Sequence, residues 1–273
     1  MANTTSSGIF ADHKSGGGLF RGTYNGGSSG VGGVKVPGAT IASVSRRETV
    51  EWFHDFIDAD VTEWVVNQVT SGTAVTDELV ANGILTVDCP TENQGIESLQ
   101  HDDAAVDNAA GWIVPAADRV ICYEARLSIN DVSQADWYIG LAEIDAAFMA
   151  TDGTLGADGT NNMVGFHHLV ADAGVPSLTM NGAAGTIQNT ELSAGVDRLG
   201  KTVTKTISDD TFTKFGIRIE GTQGVEYYID DTLVHVDTIT AAVDTAMTPT
   251  FAVMGGAAAA EMLIDYVLIT QTR

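Results

Sequence analysis

The chain has 273 residues, of which 44% are hydrophobic and 18% charged, so it holds enough apolar material for a sizeable core. It carries 13 basic against 36 acidic residues, a formal net charge of −23, which argues against nucleic acid and anionic membranes as partners. The sequence has no run of roughly 18 apolar residues, so no membrane span is predicted. Residues 1–5 lack a basic segment followed by an apolar one, so we expect no secretory signal and folding in a cytoplasm.

Residues 1–47 differ from the rest of the chain in composition and charge. Their repeated glycine clusters, such as residues 16–18, cannot support a core and are costly to order. Five basic residues stand there against Asp12 alone, a net charge of +4, whereas the remaining residues carry eight basic and 35 acidic residues, a net of −27. We therefore predict an extended, Gly-rich, basic arm over residues 1–47 and one domain over residues 48–273.

The arm has apolar side chains spaced along it, as expected of a segment that drapes over a partner surface. The arm is positively charged, which favours binding to an acidic surface, including the domain of a neighbouring copy. The alternative interpretation is that these charges only keep the segment solvated. The predicted partner-binding residues are Ile9, Phe10, Lys14, Leu19, Phe20, Arg21, Tyr24, Lys35, Arg46 and Arg47.

From about residue 50 the sequence becomes a series of short apolar runs, many of them alternating with polar residues, which is typical of half-buried strands. No segment has a helical period with caps, although short helical turns are predicted at residues 75–80 and 241–245. Turn residues follow one another at short intervals, so we predict an all-β, two-sheet antiparallel sandwich of the jelly-roll type. The predicted strands are residues 52–58, 83–87, 119–129, 137–142, 163–169, 177–180, 212–220, 225–230, 232–236, 250–255 and 262–269.

Several segments within roughly residues 50–273 share a pattern of hydrophobic residues and turns. They are FTKFGIRI at 212–219, VEYYIDD at 225–231, MTPTF at 247–251 and LIDYV at 263–267, with YEARL at 123–127 and WYIGL at 137–141 upstream. This pattern resembles the concanavalin A-like (laminin G-like) jelly roll. More narrowly, it resembles versions of this fold among the virion structural proteins of tailed bacteriophages. The resemblance implies a capsid decoration or cement protein, a head fibre or a sugar-binding module.

One segment, beginning at Glu143, resembles a catalytic motif of this fold. Some concanavalin-like glycosidases carry Glu-x-Asp-x-x-Glu, in which the first Glu is the nucleophile and the last is the acid/base. Glu143 and Asp145 match, but Phe148 occupies the acid/base position. Retaining hydrolysis needs two carboxyl groups roughly 5–5.5 Å apart, and a phenyl ring transfers no proton. We therefore predict no catalytic residues and a protein that is not an enzyme.

The oxygen-rich loop at residues 152–162 is the sequence's best candidate for a cation site, with Asp152, Asp158 and Asn161 as weak candidate ligands. It lacks the terminal Glu of an EF-hand loop, and a polar hairpin loop is the alternative interpretation. We predict no metal and no cofactor.

His167 and His168 are neighbours in a predicted strand and so point to opposite faces, which argues against a shared metal. We interpret them as one inward and one outward histidine. Tyr227 and Tyr228 divide in the same way, leaving one ring outward for an interface or a sugar. Cys89 and Cys122 lie in apolar runs and are interpreted as buried thiols, with their pairing left open.

Together these features favour a non-enzymatic virion structural protein that decorates or cements a phage head shell through its arm. Its expected partners are the major capsid protein and further copies of itself, with a trimer expected by analogy. It would lie on the capsid surface of a virion assembled in the host cytoplasm. The alternative is a carbohydrate-binding, lectin-like head-fibre or adhesion module, with glycans as partners. A glycoside hydrolase is the third hypothesis.

Overall fold

A computed structural model of the chain describes residues 49–56, 64–68, 79–80, 83–89, 96–101, 113–144, 148–149, 162–169, 177–181, 188–191, 194–222, 224–238, 243, 245–255 and 259–272. The predicted arm and its binding residues lie outside these ranges, so the arm stays a prediction. Extended strands dominate the described ranges, which confirms the all-β prediction. No helix within them is long and apolar enough to cross a membrane.

Fifteen strands run through the described part of the chain, and every sheet pairing between them is antiparallel. They are β1 (Thr49–His54), β2 (Trp64–Gln68), β3 (Leu79–Val80), β4 (Ile84–Cys89), β5 (Ile96–His101), β6 (Val120–Ile129), β7 (Asp136–Ala142), β8 (Met163–His168), β9 (Ser177–Asn181), β10 (Gln188–Glu191), β11 (Thr213–Glu220), β12 (Gly224–Ile229), β13 (Thr232–Thr238), β14 (Thr248–Met254) and β15 (Ala260–Thr272).

The strands form two sheets that pack face to face. The eight-stranded sheet has the order β13-β12-β11-β6-β15-β4-β3, with β1 also paired to β15. The seven-stranded sheet has the order β10-β9-β8-β7-β14-β5-β2. The long strand β15 organises the first sheet, because one of its edges pairs with β6 while the other pairs with β4 in its first half and β1 in its second.

Aromatic side chains from both sheets meet in the core between them. Phe166 of the seven-stranded sheet packs edge-on against Phe215 and Tyr227 of the eight-stranded sheet, with ring centroids 5.1 and 5.4 Å apart. Trp137 contacts Phe215 at 6.2 Å in the same manner. All four are fully buried, and edge-to-face pairs of this kind add to the stabilisation from burial alone.

Every predicted strand overlaps an observed one, but β2, β3, β5 and β10 were not predicted. Strand β10, with the sequence QNTE, is an edge strand without an apolar face, so no hydrophobic period marks it. The helical turn predicted at residues 75–80 is wrong where it is described, because residues 79–80 form β3. The predicted turn between β12 and β13 is confirmed: Asp230 and Asp231 have φ values of 47° and 62°, as a tight hairpin requires.

Two glycines let a tyrosine lie flat on the outer face of the seven-stranded sheet. Gly140 of β7 and Gly165 of β8 are direct cross-strand partners. The ring of Tyr138 lies over Gly165, where an added Cβ would come within 2.6 Å of the Tyr138 ring carbon Cζ and of the Ile139 carbonyl oxygen. The hydroxyl of Tyr138 donates to the Leu141 carbonyl at 2.9 Å, which fixes the ring in this position.

Replacement of Gly165 by alanine is expected to lower the free energy of unfolding by about 1–3 kcal/mol, because neither the backbone carbonyl nor the buried ring has room to move. Urea denaturation followed by tryptophan fluorescence measures the change. Gly200→Asn is the matched control, since Gly200 is exposed with open space around it and asparagine tolerates its φ of +73°. An unchanged midpoint for Gly165→Ala would contradict this packing.

Candidate functional site

The segment that resembles a catalytic motif begins just beyond the end of β7, which stops at Ala142. Asn162 holds Glu143 twice: its carbonyl accepts from the Glu143 backbone N–H at 3.0 Å, and its side-chain amide donates to the Glu143 carboxylate. Phe148 is fully buried with its ring 4.7 Å from that of Tyr138. An aromatic pair therefore occupies the place where the acid/base would stand, and Asp145 lies outside the described residues.

The two histidines do lie on opposite faces, as predicted, but both are buried. His168 points between the sheets, where its ring stacks on Trp137 and its Nδ1 donates to the Ala135 carbonyl at 2.6 Å. His167 is on the outer face of the seven-stranded sheet, as predicted, and is fully buried there. Burial, together with His168, lowers the pKa of His167 to about 4, which keeps it neutral.

No three His, Cys, Asp or Glu side chains converge into a possible metal site within the described ranges. The candidate ligands Asp152, Asp158 and Asn161 lie outside them, so that loop stays untested. Cys89 and Cys122 are both buried, and no disulfide joins them. Cys89 belongs to the core, whereas Cys122 points to the other face of the same sheet, between the inward Ile121 and Tyr123.

Aromatic rings on strands could stack on a sugar where they reach the surface, and strand alternation decides which face each ring lies on. Trp137, Tyr123, Tyr138 and Tyr227 are fully buried, so none of them offers a ring to solvent. Tyr228 points away from the core, as predicted, but only 7% of it is exposed. Tyr228 lies on the outer face of the eight-stranded sheet, a surface that the sequence did not identify as a candidate site.

The outer face of the eight-stranded sheet carries a continuous array of charged and hydroxyl side chains. Along β11, for example, Phe215 and Ile217 point into the core and Arg218 points outward, and β6 and β12 alternate in the same way. We call this surface the polar face. Its members are Glu124, Arg126, Lys214, Arg218, Glu220, Glu226, Tyr228, Asp231, Asp265 and Tyr266, together with Arg198, which reaches it from the loop before β11.

Basic residues are concentrated on this face. Residues 48–273 contain eight basic residues, and four of them, Arg126, Arg198, Lys214 and Arg218, belong to the polar face. Each is paired with a carboxylate of the same face. In a strongly acidic body, this is where positive and negative side chains are interleaved.

Glu226 is the centre of the array. Its Oε1 accepts from the Arg198 Nε at 2.7 Å, and its Oε2 accepts from the Tyr228 hydroxyl at 2.6 Å. Arg218, its cross-strand partner, lies 3.4 Å from Oε2 and also donates to Glu220 at 2.8 Å. Burial alone would raise the pKa of Glu226, but the bonds from Tyr228 and Arg198 and the charge of Arg218 outweigh burial and lower it. Glu226 is therefore a fixed carboxylate.

Arg198 is presented by a small hairpin over residues 195–203, held by the Val196–Thr202 bridge. The Asp197 carboxylate accepts from the backbone N–H groups of Leu199 and Lys201 at 2.8 and 3.0 Å. The hairpin is fastened to the edge of β13, because the Val236 N–H donates to the Val196 carbonyl at 3.0 Å. These backbone hydrogen bonds hold the hairpin in place and so position Arg198 next to Glu226.

Glu124 lies next to Glu226 but differs from it, because its pKa is raised and not lowered. It is only 2% exposed, and its Oε1 accepts from the Tyr266 hydroxyl at 2.8 Å. Gly216 lies between Glu124 and Tyr228 in the cross-strand register, so no side chain separates them. Burial raises the pKa of Glu124 from its ordinary 4.5 to about 7; Lys214 and the Tyr266 bond oppose this rise, and Asp231 adds to it.

The exposed groups of the polar face lie at its two ends. Glu220 and Arg198 keep 64% and 59% of their side chains accessible at one end, while Arg126 keeps 40% at the other. Arg126 pairs with Asp265 and lies over the ring of Phe212, 4.6 Å from its centroid. The face therefore offers solvent-accessible donors and acceptors around a buried, ion-paired centre.

The sequence contained part of the signal for this site. Outward positions of the predicted strands 212–220 and 225–230 carry charged residues and a tyrosine, which alternation alone would place on one face. What alternation does not give is the register that sets Arg218 opposite Glu226, or the hairpin that brings in Arg198 from 28 residues away.

Sheet order, antiparallel pairing and a filled inter-sheet core define an all-β protein of the concanavalin A-like jelly-roll class. No protein-family model matches the sequence, and no curated protein sequence matches it. Solved structures with the same fold include the potassium-bound carbohydrate recognition domain of Emp46p, at 9% identity and a TM-score of 0.51, covering 79% of this chain and 94% of that one. Another is a glycosyl hydrolase family protein from Mycobacterium fortuitum, at 14% identity and a TM-score of 0.50, covering 80% and 98%.

The binding domain of botulinum neurotoxin DC, solved in complex with rat synaptotagmin II, is also similar, at 10% identity and a TM-score of 0.47. The match covers 82% of this chain and 48% of that one, so the chain spans about half the length of that structure. At these identities the similarity establishes the fold alone.

Replacement of Glu124 by glutamine is expected to remove a pH dependence of stability. The folded protein holds a proton on Glu124 up to about pH 7, so this group's stabilisation is present below pH 4.5 and is lost as the pH rises to 7. Glu124→Gln should therefore exceed the wild type in free energy of unfolding at about pH 8, by up to about 3 kcal/mol, and match it near pH 4. Denaturation across this pH range, with the exposed Glu220→Gln as control, tests this, and parallel wild-type and Glu124→Gln curves would contradict it.

Proposed function

We propose that this chain is a non-enzymatic, glycan-binding module of the concanavalin A-like class. The observation that carries the proposal is the polar face: accessible guanidinium and carboxylate groups held in fixed positions by ion pairs and backbone bonds. Sugars are recognised through hydroxyls that both donate and accept hydrogen bonds. A surface on which both kinds of group are already ordered binds with less loss of side-chain freedom.

The environments of the carboxylates favour binding over catalysis. Glu226 accepts bonds from Tyr228 and Arg198 and has Arg218 beside it, so its lone pairs are occupied. Glu124 is buried beneath its neighbours and accepts from Tyr266. Glu143 is held by Asn162 next to the Tyr138–Phe148 pair. Hydrolysis needs an acid and a base or nucleophile placed on either side of a substrate bond, and Glu226 and Glu124 are both buried.

The solved structures that share the fold are compatible with a sugar-related role. One is described as a carbohydrate recognition domain and another as a glycosyl hydrolase family protein. Because their sequences are at most 14% identical to this one, they support the fold directly and the ligand class only as a proposal.

Removal of an accessible cation from the polar face is expected to weaken glycan binding. Arg126→Ala should lower affinity at least about tenfold for any glycan that binds the wild type, because Arg126 and its partner Asp265 are both accessible to a ligand. Screening on a glycan array followed by titration calorimetry measures this. Lys205→Ala is the matched control: it also removes one positive charge, from a position outside the polar face.

Two outcomes would overturn the proposal. One is that no glycan on the array binds the wild-type protein, or that Arg126→Ala and Lys205→Ala bind equally well. The other is turnover of a polysaccharide that is abolished by Glu143→Gln, which would make the chain a hydrolase.

We also propose, as a second role, that the module is carried on a phage head shell through residues 1–47. The observation in favour is the division of charge along the sequence, +4 in residues 1–47 and −27 in the remainder, which suits an arm that lies on acidic surfaces. Repeated attachment of many copies would add small contacts into a large stabilisation.

Deletion of residues 1–45 is expected to abolish binding to purified shells while leaving glycan binding intact, because the polar face lies wholly within residues 124–266. Co-sedimentation with shells and titration with the array-selected glycan measure the two activities separately. Unchanged shell occupancy by the shortened protein would refute attachment through the arm.

A further inference from the structure

The ion pairs of the polar face are balanced in charge, although the domain around them is strongly acidic. These pairs join four cations to four carboxylates: Arg126 to Asp265, Lys214 to Asp231, Arg198 to Glu226, and Arg218 to Glu220 and Glu226. Outside these pairs, residues 48–273 hold four further basic residues against 31 acidic ones. A ligand that approaches the face therefore crosses a negative field and arrives at a locally neutral surface.

An anionic sugar has no free cation to bind on this surface. To reach Arg218, whose side chain is 11% exposed, its carboxylate or sulfate would have to displace Glu226, whose side chain is only 10% exposed. A displaced Glu226 would remain half-buried without its partners, which is strongly unfavourable. At the accessible end, Asp265 already occupies Arg126. An acidic group would therefore meet repulsion from the domain and competition at every guanidinium.

A neutral hydroxyl meets neither obstacle. It can donate to a carboxylate oxygen and accept from a guanidinium N–H of the same pair, so it adds to the existing ion pair without breaking it. The accessible pair of Arg126 and Asp265 offers a donor and an acceptor side by side, which suits two neighbouring hydroxyls of one sugar ring. The half-buried rings of Phe53 and Tyr266, 5.9 Å apart, lie on the same face and offer apolar surface to a pyranose.

We infer that the polar face selects neutral, hydroxyl-rich glycans and rejects uronate, sulfated and sialylated ones. The inference rests on the proposed glycan-binding function and specifies its ligand class. The ion pairs then determine the selectivity: each carboxylate that pairs with an arginine neutralises the charge that would otherwise attract a competing anion.

The decisive experiment compares matched glycans that differ in charge, for example gluco-oligosaccharides against glucuronate oligosaccharides of equal length, and sialylated against asialo N-glycans. Titration of the full chain should give at least about tenfold tighter binding of the neutral member of each pair. Affinity for the neutral member should change little between about 50 and about 500 mM NaCl, because no net charge is exchanged.

A variant that frees one arginine should alter this preference. Asp265→Asn leaves Arg126 without its carboxylate, so we expect weaker binding of the neutral glycan and a gain in binding of the acidic one. Asp118→Asn, at an exposed turn outside the polar face, removes the same charge and is expected to change neither affinity. Circular dichroism would verify that both variants fold.

The outcomes separate the two proposals. Tighter binding of the acidic glycan by the wild type, weakened by salt and by Arg126→Ala, would overturn the inferred ligand class and leave glycan binding standing. Binding of neither class would overturn the proposed function itself and the inference with it. Equal responses of Asp265→Asn and Asp118→Asn would show that the Arg126–Asp265 pair does not select the ligand.

Discussion

The antiparallel register between β6, β11 and β12 is the constraint on which the core and the polar face both depend. It sets Ile217 between Tyr123 and Tyr227 on the inner side, and Arg218 between Cys122 and Glu226 on the outer side. A slip of one residue would exchange the two faces, because side chains alternate with a period of two. Burial of the aromatic core therefore also fixes which charged groups meet outside, and the polar face gains its geometry from the packing beneath it.

The strands were largely predictable because most of them bury one face or both. FTKFGIRI and VEYYID show their alternation in the sequence, and the Asp230–Asp231 turn between β12 and β13 follows from residues that tolerate positive φ. Strands without such a pattern, such as the polar β10, were not predictable. The burial of His167 was missed for a similar reason: alternation tells which face a residue is on but not what covers that face.

The candidate site was less predictable than the fold, since it depends on contacts between distant parts of the chain. Glu124 and Tyr266 are 142 residues apart, and Arg126 and Asp265 are 139 apart. Sequence alone directed attention to residues 143–148, because Glu143 and Asp145 match a known motif. The structure places a buried aromatic pair there instead and assembles its charged array on the other sheet. Residues of one face become recognisable as a group only when the sheet order is known.

The hairpin at residues 195–203 also covers part of an open sheet edge. β13 is the terminal strand of its sheet, and a terminal strand with open backbone groups is a template for uncontrolled strand addition. Here the Val236 N–H is already bound to Val196, and the hairpin that supplies this bond is fastened by Arg198 to Glu226. The same ion pair that shapes the polar face thus helps to hold a cover over the middle of β13, where another chain would otherwise find an open donor.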